Sequence, residues 1–353
     1  MSSHKQWMLY GANGYTGRLI VAEALKRGLR PVLAGRNAAV IEAMAVESGL
    51  EHRLFGLDDN RMAAEALEGF HTVLHCAGPF SATSQQMIDA CLQQHCHYLD
   101  ITGEISVFAN AHGQAEDARR ADIVLMPGVG FDVVPTDCLA ATLVQQLPAA
   151  TRLALAFKSG GRMSRGTAKT SIEGLANGGC VRRAGKLQRV PLAWKAREIP
   201  FDGGTSLAVT IPWGDVFTAY ISTGIPDIEV YMAVSQVLVK RMKRMRLAKP
   251  LLSMQWVQNV LKRRVEKSIA GPSGADRASS HMQLWGEVAS ADGRSVSAVM
   301  TTPDGYDVTA TASLGVVEYL LENEIEGGFY TPSLLMGADY ASRLPGVSCR
   351  INS

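Results

Sequence analysis

A glycine-rich turn lies near the start of the chain, between a short apolar strand and a helix. The turn Gly11-Ala12-Asn13-Gly14-Tyr15-Thr16-Gly17 follows the apolar run Trp7–Tyr10, and the pattern after it predicts a helix over residues 15–27. Strand and helix patterns then alternate as far as Met126. Such alternation is typical of a parallel, doubly wound sheet with helices on both faces. We therefore predict an α/β fold for this part of the chain.

The glycines of this turn have the spacing GxxGxxG, which suits a dinucleotide-binding turn. Gly11 permits a sharp exit from the strand, Gly14 leaves room for a pyrophosphate, and Gly17 lets the helix approach the sheet. Backbone amides at the positive end of the helix would face the phosphates. A tight turn without a ligand is the alternative. The residues predicted to contact the dinucleotide of this Rossmann-type domain are Gly11, Asn13, Gly14, Tyr15, Thr16 and Gly17.

The end of the second strand favours NADP(H) over NAD(H). An acidic residue there would accept hydrogen bonds from a ribose 2′-hydroxyl, but the strand ends in Leu33-Ala34-Gly35-Arg36-Asn37. The planar cation of Arg36 can pair with a 2′-phosphate and stack on adenine. Arg18 can add a second positive charge, and Asn37 also begins the next predicted helix. A solvated charge at a strand end is the alternative for Arg36.

Further strand ends face the same edge of the predicted sheet, where ligands of open α/β sheets bind. Asp58 follows the third strand, where it either contacts the adenine side or caps a helix with its neighbours. The small residues Ala77, Gly78 and Pro79 follow the fourth strand and let the backbone approach the cofactor. All four residues are predicted to bind the cofactor.

Candidate proton donors occur at the same edge. Hydride transfer requires a positioned cofactor and a group that supplies a proton to the product. Tyr98 and Asp132 are the catalytic candidates here, Glu104 is a substrate-binding candidate, and Asp100 closes the fifth strand. Each has a structural alternative: a core position for Tyr98, and capping of a helix or a loop for the acids.

The alternation breaks after Met126, and the later strand patterns are longer and more polar. Strands are predicted over residues 153–157, 206–211, 228–233, 282–289, 295–302 and 307–311. The fourth and fifth of these are joined by a hairpin-type turn, which indicates a largely antiparallel mixed sheet. We predict a Rossmann domain over residues 1–135 and a second α+β domain over 136–327.

Residues 160–170 form a second candidate site. The segment follows a strand, is rich in glycine and small hydroxyls, and holds three cations. It can begin a helix whose amides and cations face an anion, although cations at a helix N-terminus otherwise oppose the helix dipole. Arg162, Arg165 and Thr167 are predicted to bind substrate, and Lys169 is a catalytic candidate.

The charge distribution is uneven. The chain carries a formal net charge of +2, but residues 240–267 hold ten basic side chains and one acid, so the rest of the chain is acidic. Met254, Val257, Leu261 and Val265 follow helical spacing in this basic stretch. A basic amphipathic helix can lie on an anionic membrane surface or dock an acidic carrier protein; packing on its own domain is the alternative. No nucleic-acid reading motif accompanies the charge.

The composition limits the remaining classes. Hydrophobic residues make up 47% and charged residues 19%, which indicates a folded chain, and no apolar run has the length of a bilayer span. The N-terminus has no apolar signal core, so a cytoplasmic protein is expected, with a peripheral position at the inner membrane surface as the alternative. The six cysteines form no CxxC pair, so neither a disulfide framework nor a metal site is expected.

Several motifs resemble the saccharopine dehydrogenase-like oxidoreductases, and those of the second half resemble the bacterial branch called trans-acting enoyl reductases. The resemblance implies NADP-dependent reduction of a C=C or C=N bond in a small or acyl-type substrate, held between the two domains. It also implies that residues 328–353 return to the first domain, and a homodimer suits the fold. The matching segments are Gly11–Gly17, Ala34–Asn37, Cys76–Phe80, Tyr98–Glu104, Gly128–Asp132, Ile211–Asp215, Ser222–Pro226, Gly271–Ser273 and Gly327–Pro332.

Two function classes therefore stand side by side. The first is an NADP(H)-dependent reductase, which the phosphate turn and Arg36 favour. The second is a non-catalytic NADP-binding protein that acts through its basic surface, which the lack of an unambiguous acid–base pair leaves open.

Overall fold

The computed structural model describes residues 5–160, 164, 178–246, 254, 257, 260 and 271–352. The chain divides into two compact units. The first consists of Met1–Val134 and Tyr306–Met336, and the second of Pro135–Gly305 and Gly337–Ser353. Helices and strands are numbered below in chain order over the described residues.

A parallel seven-stranded sheet forms the centre of the first unit as the structure describes it, and its order is β15-β6-β5-β4-β1-β2-β3. The chain starts in the middle of this sheet and reverses direction between β1 and β4, as in other doubly wound sheets. The predicted α/β class is confirmed. The strands are β1 (Trp7–Tyr10), β2 (Val32–Gly35), β3 (His52–Leu54), β4 (Thr72–His75), β5 (His97–Asp100), β6 (Val124–Met126) and β15 (Gly328–Phe329).

Helices link these strands, since a parallel pair needs a crossover connection. The apolar run Trp7–Tyr10 is buried at every position, which explains why it lacks the alternation of a half-exposed strand. The helices of this unit are α1 (Tyr15–Lys26), α2 (Ala38–Ser48), α3 (Asn60–Leu67), α4 (Phe80–Gln94), α5 (Ile105–Gly113), α6 (Ala115–Ala121), α11 (Gly305–Glu322) and α12 (Pro332–Met336).

The strand predicted over residues 307–311 is wrong, because this segment is the first part of α11. Its β-branched residues favour a strand by local propensity. Val308, Ala312 and Val316 are nevertheless buried at helical spacing, and tertiary packing overrides the local preference.

A mixed sheet of nine described strands forms the second unit, with the main order β10-β11-β12-β7-β13-β14-β16. Most neighbours are antiparallel, but β7 and β12 run parallel, and β8 pairs with β9 and β12. The strands are β7 (Ala150–Ser159), β8 (Gly179–Arg183), β9 (Lys186–Val190), β10 (Ala196–Phe201), β11 (Gly204–Thr210), β12 (Asp227–Ala233), β13 (His281–Ser290), β14 (Ser295–Pro303) and β16 (Ser348–Asn352).

Helix α7 (Val134–Gln146) covers one face of this sheet. A Cβ at Gly286 of β13 would lie 2.7 Å from Leu143 Cδ1 and 3.1 Å from Leu139 Cδ2, so the glycine permits close contact of helix and sheet. The predicted hairpin between β13 and β14 is present, with Ser290 N–H donating to the Arg294 carbonyl. The other described helices here are α8 (Asp215–Thr223), α9 (Gln236–Met245), α10 (Gly274–Ala278) and α13 (Tyr340–Arg343).

The structure divides the chain differently from the predicted boundaries. Only residues 328–336 of the segment 328–353 return to the first unit, and α11, predicted in the second, also belongs to the first. β16 instead pairs antiparallel with β14 over Ser348–Asn352. Edge-strand pairing depends on a partner distant in sequence, so local pattern does not reveal it.

Candidate functional site

The glycine turn connects β1 to α1 with no room for side chains. Gly11 has φ +80°, and a Cβ there would lie 2.8 Å from the amide nitrogen of Ala77. A Cβ at Gly17 would lie 2.5 Å from the Gly11 carbonyl oxygen, and one at Gly14 would lie 3.2 Å from it. Gly14 begins α1 without a capping side chain. The first turn of this helix is therefore open to an anionic ligand.

A cavity of about 780 Å³ opens beside this turn. It lies where the strand order reverses, at the carboxyl ends of β1 and β2, the usual ligand position in a doubly wound sheet. Its size is in the range of small-molecule and cofactor sites. The residues that line it are Tyr10, Gly11, Asn13, Gly35, Arg36, Asn37, Ala38, Ala39 and Ala77.

Arg36 is exposed at the end of β2 and makes no hydrogen bond or ion pair with any residue that the structure describes. Asp58 lies nearby, since a Cβ at Gly56 would be 3.5 Å from Asp58 Oδ2 and 3.9 Å from Arg36 Cδ. Both charges act on Tyr10, whose pKa burial raises to about 12; Arg36 lowers this pKa and Asp58 raises it. A guanidinium at this position, with no ion pair among the described residues, can donate hydrogen bonds to a 2′-phosphate.

The neighbouring predicted residues have partly structural positions. Asn37 Oδ1 accepts a hydrogen bond from Val40 N–H at 3.3 Å, so Asn37 caps α2 while it lines the cavity. Asp59, not Asp58, caps α3 by accepting from the amides of Arg61 and Met62. Asp58 is exposed and lies near Arg36, but it is not among the residues that line the cavity.

Residues 77–79 follow β4, and the peptide bond between Gly78 and Pro79 is cis. Ala77 contacts the turn at Gly11 and lines the cavity. Glu104 holds the start of α4, because its two carboxylate oxygens accept from Phe80 N–H at 2.9 Å and Ser81 N–H at 3.0 Å. The geometry therefore gives Glu104 a capping position, the alternative that the sequence left open for the acids at this edge.

Tyr98 and Asp100 belong to the core of the first unit. Tyr98 is 0% exposed, and its hydroxyl donates to Asp100 Oδ2 at 2.6 Å. Asp100 Oδ1 also accepts from Thr102 N–H and Gly128 N–H, both at 2.9 Å. Burial raises the pKa of Asp100 to about 6, although these hydrogen bonds oppose the shift. The core position, and not a catalytic one, fits Tyr98.

Asp132 is a partly buried carboxyl beside the β5 end. A Cβ at Gly103 would lie 3.0 Å from Asp132 Oδ2, which places the carboxyl against the loop that carries Glu104. Burial, and to a smaller extent the charge of Glu104, together raise the pKa of Asp132 to about 7. A carboxyl that keeps its proton near neutral pH can act as a general acid.

His75, which the sequence analysis did not single out, lies behind the cavity residue Tyr10. It is the last residue of β4, is 0% exposed, and its ring packs against Tyr10 and Phe80. His75 Nε2 lies 2.9 Å from Thr83 Oγ1, which is also within hydrogen-bond distance of the Ala77 and Pro79 carbonyl oxygens. Burial lowers the pKa of His75 to about 3, and the ring is neutral. The sequence feature that could have identified His75 is its position as a polar residue at the end of an apolar strand.

Other predicted sites lie wholly or partly outside the described residues. Arg162, Arg165, Thr167 and Lys169 are not described, and of the basic stretch only residues 240–246, 254, 257 and 260 are. Over the described ranges no group of His, Cys, Asp and Glu side chains is arranged to hold a metal ion. No helix within those ranges has the length and apolarity needed to cross a bilayer.

Comparison with known proteins gives the site a family context. Residues 7–126 match the family described as the saccharopine dehydrogenase NADP binding domain. A probable mitochondrial saccharopine dehydrogenase-like oxidoreductase of Arabidopsis thaliana is 29% identical over 150 residues, which covers 37% of this chain and 32% of the relative. A lipid droplet localized protein of Caenorhabditis elegans is 24% identical over 255 residues, covering 59% and 56% of the two chains. The matches thus span about a third to a half of these relatives.

Among solved structures, apo saccharopine dehydrogenase (L-Glu forming) from Saccharomyces cerevisiae superimposes with a TM-score of 0.70 at 12% identity. The match covers 99% of this chain and 100% of the yeast chain, and at that identity it shows a shared fold.

The cofactor of the first unit follows from these findings together. The glycine turn, the open start of α1 and the cavity fit a dinucleotide, and the family match specifies NADP. The names of the matched relatives support a wider relationship to saccharopine dehydrogenase-like oxidoreductases. Residues 7–126 of this chain are thus similar to the saccharopine dehydrogenase NADP binding domain, and this similarity covers the strands and helices that surround the glycine turn.

Proposed function

We propose that the chain is an NADP(H)-dependent oxidoreductase that reduces a C=C or C=N bond. The proposal rests on the Arg36 guanidinium, which has no ion pair among the described residues and lines the same cavity as the glycine turn. The amides at the start of α1 would hold the pyrophosphate, and Arg36 would hold the 2′-phosphate. The bound cofactor supplies a hydride, and the protein supplies position and a proton.

Asp132 is the candidate that supplies this proton. Its raised pKa of about 7 keeps part of the population protonated at neutral pH, and Glu104 disfavours its ionised form. A general acid is most effective when its pKa lies near the working pH. Asp132 would deliver its proton to the carbon or nitrogen atom that does not receive the hydride. Lys169 and the cations Arg162 and Arg165 remain proposals for the substrate side.

The substrate class is the less determined part of this proposal. The motifs of the second half resemble trans-acting enoyl reductases, which favours an acyl chain with a C=C bond. Matched relatives are named saccharopine dehydrogenase-like oxidoreductases, and the resemblance to that family is what favours a C=N bond. The chain's own residues therefore have to be tested against both classes.

NADPH oxidation measured against a panel of enoyl thioesters and imines tests this proposal. We expect turnover with one of the two classes, and a kcat that falls about a hundredfold in Asp132→Asn while the Kd for NADPH stays unchanged. Asp117→Asn, on the exposed face of α6, is the matched control. NADPH binding without turnover of either class would contradict a reductase and favour a non-catalytic NADP-binding protein.

A basic surface supports the second candidate function, action at an anionic membrane or on an acidic carrier protein. Helix α9, whose second half lies in the basic stretch, packs on its own unit through Val239 and Met242. Its outer side still exposes Lys240, Arg241, Lys243 and Arg244, and none of these four has an ion pair among the described residues.

Exposed apolar residues accompany these cations. Val237 is 77% exposed and Leu238 is 39% exposed at the start of α9. Cations beside exposed apolar side chains suit the interface of an anionic membrane. One matched relative is named a lipid droplet localized protein, which agrees with a lipid surface. A cytoplasmic location and a homodimer, also expected from the sequence, are further proposals.

Co-sedimentation with vesicles tests the membrane version. We expect binding to phosphatidylserine vesicles that the double variant Lys240→Gln/Lys243→Gln weakens, whereas Lys186→Gln/Arg189→Gln on exposed β9 leaves it unchanged. Equal sedimentation with neutral phosphatidylcholine vesicles, or loss of binding in the β9 control, would contradict it. Binding of an acidic carrier protein instead of vesicles would favour the other partner.

A further inference from the structure

The sheet of the second unit carries a charged hollow on one face, centred on Arg152, Asp227, Glu229 and Glu287. Its volume is about 300 Å³, and all its walls come from this unit. It is separate from the cavity beside the glycine turn, which residues of the first unit line. The predicted function of the NADP site makes no use of this hollow.

The strand register explains why there is space here. Ala154 of β7 lies opposite Glu229 of β12 on one side and opposite Glu287 of β13 on the other. Two residues earlier, Arg152 lies between Asp227 and Ala289. Residues in register across neighbouring strands point to the same face. The two alanines therefore leave a gap between long charged side chains.

One wall of the charged hollow is fully engaged in internal contacts. Glu229 accepts hydrogen bonds from Arg183, Lys195 and the Tyr231 hydroxyl. The Lys195 ammonium also lies 4.7 Å from the centre of the Trp194 ring, and the Arg183 guanidinium lies 5.6 Å from it. These contacts hold the side chains of this wall in place and compensate the negative charge of Glu229.

Three charged side chains that line the hollow still have hydrogen-bonding atoms that a ligand could use. The Arg152 side chain makes no hydrogen bond or ion pair in the part of the chain that the structure describes, although it lies opposite Asp227. Asp227 uses Oδ1 to accept from Ala184 N–H at 2.8 Å, and Glu287 uses Oε1 to accept from Arg197 at 3.3 Å. Both carboxylates thus keep their second oxygen for another donor.

We propose that the charged hollow binds a small zwitterion that carries an amine and a carboxylate, as a free α-amino acid does. The carboxylate binds the Arg152 guanidinium, and the ammonium donates to Asp227 and Glu287. The two carboxylates would repel a simple anion. Arg152 and Arg197, which also lines the hollow, would repel a simple cation. Diagonal neighbours across a strand pair lie about 7–8 Å apart, which long side chains span to reach both groups of one α-carbon.

The experiment titrates the full-length protein with each of the twenty common amino acids, by calorimetry. The best binder is then compared with its analogue lacking the amine and its analogue lacking the carboxylate. We expect saturable binding of at least one amino acid, and binding weaker by about tenfold or more for both analogues, since each loses a charged hydrogen bond.

Three variants locate the binding. Arg152→Gln removes the carboxylate partner, and Ala289→Leu fills the hollow without a change of charge, so we expect each to weaken binding about tenfold or more. Arg189→Gln, an exposed arginine on β9, is the control and leaves binding unchanged. Circular dichroism and the unfolding midpoint of each variant establish that it is folded.

Several outcomes would overturn the proposal. They are no binding by any of the twenty amino acids, equal binding of the analogue without an amine, and binding that survives both Arg152→Gln and Ala289→Leu. A dimer that dissociates in Arg152→Gln, measured by light scattering, with no amino acid bound would assign this face to contact between copies of the chain.

Discussion

Gly17 is the residue of the phosphate turn with the least room for a side chain. Its Cβ would meet two backbone oxygens, at 2.5 Å from Gly11 and 2.8 Å from Ala12. Backbone atoms cannot swing away as a flexible side chain does. The glycine spacing could be predicted to mark this turn because the requirement is local, within seven residues of sequence.

Alanine favours a helix more than glycine does, but at position 17 its Cβ would clash with the backbone. The stability of Gly17→Ala therefore shows which of these two effects is larger. We expect Gly17→Ala to lower the free energy of unfolding by about 1–3 kcal/mol, the usual cost of overpacking. Gly113→Ala is the matched control, since Gly113 lies at the end of α5 with open space around its Cβ position. Urea unfolding measures both, and equal stability of the two variants would contradict this contact account.

Asp132 gives a second prediction at this scale, through the pH dependence of stability. Its pKa is raised from 3.8 to about 7 in the folded chain, so the folded state binds more protons than the unfolded state between these values. Stability is therefore lost as the pH rises through this window. We expect Asp132→Asn to reduce the loss in urea midpoint between pH 5 and pH 8. The same loss in both proteins would show that Asp132 is not buried with a raised pKa.

At the scale of elements, local pattern predicted the strands and helices of the first unit well, because each buried run is short and bounded by glycine or a capping residue. It failed where tertiary packing decides. Residues 307–311 are helical despite their β-branched side chains, and β16 joins the second sheet by pairing with β14. The short β8–β9 hairpin and β10 were also missed, since β9 is almost wholly exposed and charged residues interrupt the apolar pattern of β8 and β10.

The capping of the N-terminus of helix α4 can be tested by mutation. Glu104 supplies the acceptors for the first two amides of this helix, and Pro79 at the cap position has no capping side chain. We expect Glu104→Ala to destabilise the fold by about 1–2 kcal/mol, as loss of a cap does, and Glu104→Gln by less. Thermal unfolding compares them. A change in substrate KM with no change in stability would instead favour the substrate-binding role predicted from the sequence.

At the scale of the whole molecule, the cofactor could be predicted and the substrate could not. The turn and Arg36 lie within one unit and within the first 36 residues, so their chemistry follows from spacing. Substrate recognition depends on residues 160–170 and on the second unit, whose strand order is set by pairings between distant segments. The charged hollow shows the same limit, because its residues come together only through sheet register.

The measurement that tests the central claim most directly is the Kd of NADPH and of NADH for the natural protein and for Arg36→Ala. We predict tighter binding of NADPH than of NADH, and loss of about tenfold or more in NADPH affinity in the variant, with NADH affinity nearly unchanged. Arg61→Ala, an exposed arginine on α3, is the control and leaves both Kd values unchanged. Equal Kd values for the two dinucleotides, or NADPH binding that Arg36→Ala does not alter, would contradict the account.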